Sequence, residues 1–514
     1  LRFQIIEIEK RIWLLYVLIF FSAFLVRFYL VLFSSVITPD GILYIKAAKF
    51  IESGKLENIA EFTLYPFLIV LAHKIFPDWE MAGRMVSVLM GSLTVIPLFL
   101  LAKRMFDVRV ALVIAFFYII NPRLADYSAD VLREPTFWFF SMMALWLAWE
   151  GISRNSFMCT LLSSFATGLS VITRTEGMAI FLLILLWIFW SIWRSEHDTK
   201  KLFFHLIIFV FLLPVMFLPL IVIFKEKYDI AYTFLKTWYF FRNKNNGVFE
   251  LTPDKIQAIS PGLSTFLELA KGHKYVIFLS EIIVKLVKSL NVVFFFFAVI
   301  GIFGRKSIAY SKNEVPVAIW FSVFFITAFF YITQTYYFST RHGLLLGFPL
   351  LIWAGIGFIE LKEQLCSWFK RIYPSAPFTK HMAVILIFAI LIAILPKALS
   401  PGGYEKRELK EAGAYLKAKG YSGAIFAGEP GLYRVAFYAG SEFIPLPFVK
   451  KEEELADLMR ENKAEFLILD KKTGSASYKD ILDNLNSSVF VKVDLPELER
   501  YKEYTLSLYR LKGR

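Results

Sequence analysis

Residues 12–36 run for about twenty-five positions with almost no charge, and that run limits the fold more than anything else in the chain. A bilayer core about 30 Å thick takes about twenty apolar residues as a helix, because in hydrocarbon every backbone N–H and C=O must be satisfied within the segment. Comparable runs recur at about 82–102, 108–121, from Pro135 onward, 156–173, 177–193, 202–224, 290–304, 315–333, 343–359 and 381–396. Of the 514 residues 57% are hydrophobic, 55 are Phe, and the mean hydropathy is +0.57, more apolar surface than a soluble globule can hide. The expectation is a polytopic α-helical membrane protein with about 11 transmembrane helices over residues 1–399, followed by a soluble α/β domain over 400–514.

Charge supports this division. The net charge is +14, yet from 401 onward there are 19 Lys/Arg against 18 Asp/Glu, so the excess lies in the membrane part. It is the charge of cytoplasmic loops facing anionic lipid, not of a nucleic-acid surface. Lys10-Arg11, Lys103-Arg104, Arg154, Arg194–Lys201 and Arg305-Lys306 all fall on one side when the eleven runs are counted as spans. The positive-inside rule then puts the N-terminus in the cytoplasm and the C-terminal domain on the periplasmic or extracellular side of the cell (inner) membrane. The first run is too long for a cleavable signal and reads as a retained anchor. Two cysteines, Cys159 and Cys366, exclude a disulfide framework.

Between the first two spans lies an outer loop, 37–81, with amphipathic helices expected over Leu43–Glu52 and Phe62–Phe76, lying in the interface. The third span exits at Asn121-Pro122-Arg123 into a compact acidic loop, and Pro135 opens the fourth, where a missing N–H costs nothing. The seventh span leads to an outer loop that is basic and aromatic around Trp238–Lys244, and the inner loop 361–380 is basic. In the C-terminal domain, helices are expected over Glu405–Lys419, Gly431–Ala439, Lys450–Asn462 and near Ser477–Leu485. Strands are expected over Gly423–Ala427, Glu465–Asp470, Val489–Val493 and Thr505–Leu511, in a sheet with a mainly parallel core.

Polar residues gather at the outer ends of spans rather than at their middles. Asp40 and Tyr44 follow the first; Asp126, Asp130, Arg133 and Glu134 lie between the third and fourth; Arg174 and Glu176 cap the hairpin between the fifth and sixth; Arg341-His342 precede the tenth. A transporter places its acids and bases near the midplane along a path. Charges at one membrane face fit an interfacial enzyme acting on a lipid headgroup. Structural alternatives stand beside each residue: Asp40 and Glu134 suit helix starts, and Arg84, Arg174 and Arg341 can snorkel to headgroups. His73 and His342 suggest a divalent metal with Asp40, although their spacing matches no standard ligand set.

Three stretches resemble the GT-C glycosyltransferases, in particular the branch of protein O-mannosyltransferases and aminoarabinose transferases. Ala82-Gly83-Arg84-Met85-Val86-Ser87-Val88-Leu89-Met90-Gly91-Ser92-Leu93-Thr94 is similar to that family's second span. Tyr127-Ser128-Ala129-Asp130-Val131-Leu132-Arg133-Glu134-Pro135 is similar to its loop between spans three and four. Thr173-Arg174-Thr175-Glu176-Gly177 matches a recurring hairpin. The resemblance covers about residues 1–350, and Asp40 sits where the family carries its first-loop catalytic acid. It implies a polyprenyl-phosphate sugar as donor, a protein, lipid or glycan as acceptor, and transfer on the outer face with inversion. Asp40 would be the base, Glu134 a second catalytic carboxylate, and Arg174 and Arg341 the cations for the phosphate. Tyr44, Arg84, Asp130, Glu176 and His342 would complete the substrate site. Two departures matter: Gly41 stands where a second acid often follows the first, and the Trp-Trp-Asp block of oligosaccharyltransferases is missing. The competing readings are a lipid-linked-glycan flippase, which would move carrier lipid without a glycosyl product, and a non-catalytic assembly subunit, which would tolerate Asp40→Asn.

Overall fold

The computed structural model describes residues 2–34, 36–59, 63–194, 200–211, 272–373, 381–402, 406–446, 452–470, 489–499 and 505–512. The expected seventh span beyond 211, the Trp238–Lys244 loop and the helix near Ser477–Leu485 lie outside these residues. Contacts divide the chain into two compact units: residues 1–29 with 48–400, and residues 30–47 with 401–514.

The larger unit is helical. Its elements are α1 (Arg2–Phe33), whose last residues belong to the second unit, α2 (Pro39–Glu52), shared in the same way, α3 (Leu64–His73), α4 (Trp79–Leu93), α5 (Val95–Met105), α6 (Val108–Ile120), α7 (Pro122–Ser128), α8 (Glu134–Arg154), α9 (Phe157–Thr173), α10 (Gly177–Trp193), α11 (Lys274–Leu290), α12 (Val292–Phe303), α13 (Glu314–Thr335), α14 (Thr340–Ile372) and α15 (Met382–Ala398). Among the described residues four stretches are long and apolar enough to cross a membrane: Trp13–Phe33, Trp79–Met105, Glu314–Thr335 and Thr340–Ile372. There are up to six if the bent pairs α6–α7 and α11–α12 each count as one span. The fifth, sixth and eleventh expected spans are helices of 17 residues. At 1.5 Å per residue each is about 25 Å long, short of a full hydrocarbon core.

The helices differ from the sequence reading at three places. The acidic loop after Asn121 is largely a helix, α7: Asn121 caps it, its side-chain oxygen accepting from the Arg123 and Leu124 amides, both at 3.0 Å, with Pro122 at the start. The expected eighth span is preceded by another helix, α11, from which the chain turns by 109° at Asn291. The tenth span does not end near 359; α14 continues to Ile372 through the expected inner loop. The two bends are joined, since Asn121 Nδ2 at one donates to the Leu290 carbonyl at the other over 3.0 Å.

Small residues set the closest crossings. A Cβ on Gly301 of α12 would lie 2.0 Å from the Trp353 carbonyl oxygen, and one on Gly357 of α14 1.9 Å from that of Phe297. The two backbones touch, as small-residue helix pairs in membranes do. Helix α9 turns a hydroxyl face to α8: Ser163 Oγ donates to the Ala144 carbonyl at 2.8 Å, and the Ser141 and Ser170 hydroxyls meet at 2.9 Å.

The second unit holds a five-stranded sheet: β1 (Ile425–Gly428), β2 (Glu442–Pro445), β3 (Phe466–Asp470), β4 (Phe490–Val493) and β5 (Leu506–Leu511), in the order β2-β1-β3-β5-β4. β1 pairs parallel with β2 and β3, whereas β3–β5 and β5–β4 are antiparallel. The sheet is therefore mixed, not mainly parallel, and β2 was not expected. β3 is buried along its whole length. The helices α16 (Arg407–Ala418) and α17 (Tyr433–Ala439) contribute Leu409, Leu416 and Val435 to one core cluster. The helix α18 (Glu452–Glu461) contributes Leu455 and Met459 to another.

Candidate active site

Four helix ends in the larger unit bring four charged residues together. Glu134 stands in the first turn of α8, where the helix dipole favours a carboxylate. Arg174 caps the end of α9, Glu176 precedes α10, and Arg341 lies in the first turn of α14. The Arg174 guanidinium is the hub. Its Nη1 donates to Glu134 Oε1 at 2.6 Å, while Nε and Nη2 grip the two Glu176 oxygens at 3.2 and 2.5 Å. That two-point grip is the strong form of a charge-assisted hydrogen bond. Arg341 Nη1 stands 3.7 Å from the same Glu134 oxygen, with its guanidinium 5.9 Å from the centre of the Tyr127 ring.

Burial separates the two arginines. The Arg174 side chain is 11% exposed and the Glu134 side chain 4%, against 26% for Arg341. Burial alone would push the Glu176 carboxyl up, but the adjoining Arg174 charge outweighs it and brings the value down to about 2. Glu134 Oε2 is buried and has no hydrogen-bond partner among the described residues. An orphaned acceptor of this kind costs about 1–3 kcal/mol and calls for an explanation.

His342 follows Arg341 but is occupied in capping α14, its Nδ1 lying 3.0 Å from Ser339 Oγ and its ring 4.6 Å from that of Tyr331. Arg84 is 3% exposed; it pairs with Glu80 at 3.0 Å and donates to the Ala129 carbonyl at 2.8 Å. Asp130 Oδ1 accepts from the Val131 amide at 2.7 Å. Two residues the sequence reading did not single out act beside Arg84. Ser87 Oγ donates to the Leu132 carbonyl at 3.0 Å, and the Tyr65 hydroxyl donates to the Gly83 carbonyl at 2.9 Å and meets Ser87 Oγ at 2.7 Å. At Gly83, a Cβ would press 2.8 Å from Val131 Cγ1. The 82–94 stretch thus grips the backbone of 129–132, just before Glu134. The signal lay in its small and polar residues at helical spacing, but their partners are some 45 positions away.

Asp40 and Tyr44 belong to the second unit, Asp40 in the first turn of α2. There the main chain before Asp40 is bound by α17. Arg434 Nε donates to the Ile37 carbonyl at 3.1 Å, the Ile37 amide donates to the Tyr438 hydroxyl at 3.2 Å, and the Tyr433 hydroxyl donates to the Pro39 carbonyl. Burial pushes the Tyr433 phenol well above its usual range; Arg434 opposes the shift and the Asp40 charge adds to it. As for a metal, no group of three or more His, Cys, Asp or Glu among the described residues could hold one.

Residues 63–222 match the dolichyl-phosphate-mannose-protein mannosyltransferase family. No curated protein sequence matches the chain. Among solved structures, the oligosaccharyltransferase AglB of Archaeoglobus fulgidus, in complex with an inhibitory peptide and a dolichol-phosphate, superposes with a TM-score of 0.58 at 13% identity, over 92% of this chain and 71% of that one. The A. fulgidus enzyme in complex with zinc and sulfate gives 0.58 at 14% identity, over 94% and 71%. ArnT of Cupriavidus metallidurans bound to undecaprenyl phosphate gives 0.55 at 12% identity, over 96% and 97%. The chain thus has the fold of these GT-C glycosyltransferase structures along nearly its whole length, and residues 63–222 carry the pattern of the mannosyltransferase family.

Proposed function

We propose that the protein is a membrane glycosyltransferase that moves a single sugar from a polyprenyl-phosphate donor to a protein, lipid or glycan acceptor on the outer face of the membrane. The observation that carries the reading is the buried Glu134 carboxylate, one oxygen bound to Arg174 and the other without a partner among the described residues. A sugar hydroxyl donating to Oε2 would satisfy that oxygen and orient the ring. The polyprenyl-phosphate and dolichol-phosphate ligands in the structural neighbours support the donor class.

In this reading the acceptor hydroxyl attacks the anomeric carbon as the bond from that carbon to the phosphate oxygen breaks, inverting the configuration. Asp40 takes the hydroxyl proton as general base. The phosphate leaves as an anion and needs no proton, only a cation to meet its growing charge. Arg341 suits that task better than Arg174, being more exposed, whereas Arg174 spends three donors on Glu134 and Glu176. Arg174 then serves to position Glu134. No step is assigned to a metal.

The test is mass spectrometry of polyprenyl-phosphate lipids in a strain lacking the protein. A glycosylated carrier should accumulate and disappear when the wild-type chain is restored. Asp40→Asn, present in the membrane at wild-type level, should slow its clearance by about 10²–10⁴-fold, the usual contribution of a general base. No change in any carrier lipid, or full clearance by Asp40→Asn, would sink the proposal.

A further inference from the structure

We infer that the C-terminal domain positions Asp40, with Arg434 and Tyr438 as the positioning residues. The inference rests on the reading of Asp40 as the catalytic base. Residues 36–38 lie between α1 and α2, in neither helix, yet Val36 and Ile37 are 6% and 1% exposed, so their peptide groups need partners away from water. Ile37 finds both of its partners on α17: its carbonyl accepts from Arg434 and its amide donates to Tyr438. Arg434 and Tyr438 are four residues apart, on one face of the helix. Tyr433, the residue before Arg434, holds the Pro39 carbonyl, one residue from Asp40.

The fixing helix is itself fixed. Arg434 is 9% exposed, Val435 and Ala436 lie in the core formed with α16 and the sheet, and Lys410 of α16 stands 4.9 Å from the centre of the Tyr438 ring. The residues that bind 37–39 therefore stand on a packed domain, whereas 36–38 lie outside both helices. A general base must hold its carboxylate within hydrogen-bond reach of the proton it takes, and small misplacements are costly. The sequence separation of about 400 residues is bridged by hydrogen bonds to backbone atoms. The arrangement therefore depends on Arg434 and Tyr438 and not on the side chain at 37.

The experiment uses the full-length chain, added back to membranes of the deletion strain, and follows the initial rate of loss of the accumulated glycosylated carrier lipid as a function of pH. Tyr438→Phe removes one oxygen and Arg434→Met one cation. Each should lower the rate about 10-fold or more in the wild-type background and shift its pH profile. In an Asp40→Asn background neither should lower it further, because the base they position is gone. An equal loss in both backgrounds would show that the two residues serve only folding, and would overturn the inference. Full activity of Asp40→Asn would instead overturn the assignment of the base. Hydrogen exchange gives a second readout: Tyr438→Phe should deprotect the peptide containing Ile37 while leaving β3 and β5 protected. Unchanged protection at Ile37 would also count against the inference.

Discussion

Glu134 and Asp40 each stand in the first turn of a helix, but the chain fixes them differently. Glu134 is held at the carboxylate: Arg174 bonds one oxygen, Arg341 stands 3.7 Å from the same atom, and Glu176 shares the Arg174 fork. At Asp40 the three bonds from α17 act on the main chain at Ile37 and Pro39. The first arrangement sets the position of an oxygen atom and depends on buried charge. The second sets the course of the backbone and depends on hydrogen bonds to peptide groups.

The comparison should break first at Arg174. Arg174→Met leaves two carboxylates beside each other with their common partner gone, which should destabilise the protein by about 3–5 kcal/mol. This can be read as a lowered melting temperature in detergent. Arg174→Lys should recover only part of that loss, because an ammonium lacks the planar fork that meets Glu134 and Glu176 together.

A smaller effect, with a defined pH dependence, is expected at Glu176. Its folded carboxyl titrates at about 2 against an ordinary 4.5, so the stabilisation is full above pH 4.5 and fades as pH falls towards 2. Glu176→Gln should cost on the order of 2 kcal/mol at neutral pH, after discounting for its partial exposure. The gap from wild type should narrow as unfolding is measured at successively lower pH; a gap independent of pH would count against the ion pair as its source. Ser87→Ala should have the smallest effect, about 1 kcal/mol for one lost hydrogen bond. It should also loosen 129–132, seen as faster hydrogen exchange there.

The features that are local in the chain were the ones legible from it. The hairpin α9–α10 falls almost on its expected bounds because Ser156 caps one helix, Gly177 opens the next, and the intervening turn is short. α7 carried a signal too, Asn121-Pro122 being a helix start, but the acids after it suggested a loop. α11 is hard to read from the sequence because Glu281, Lys285 and Lys288 interrupt its apolar pattern. β2 is four residues long and ends in Pro445, leaving little periodicity to read. In the site, Arg174 and Glu176 stood out as charges between two apolar runs. Arg84 looked the same in sequence, yet the carbonyl it binds is 45 residues away, so only the folded chain shows that it supports a loop. Likewise, nothing near Ile37 in the sequence points to Arg434 or Tyr438.

Arg174, Arg341, Glu134 and Glu176 are two guanidiniums and two carboxylates, and their formal charges sum to zero. A neutral quartet has little long-range field, so it does little to draw anions in from solution. A phosphate would be recognised on arrival, by contact with Arg341, and not by attraction from afar. If that is how the donor is chosen, its capture should respond only weakly to ionic strength, and the membrane, by confining the carrier lipid to two dimensions, would do the work that electrostatic steering does in a soluble enzyme.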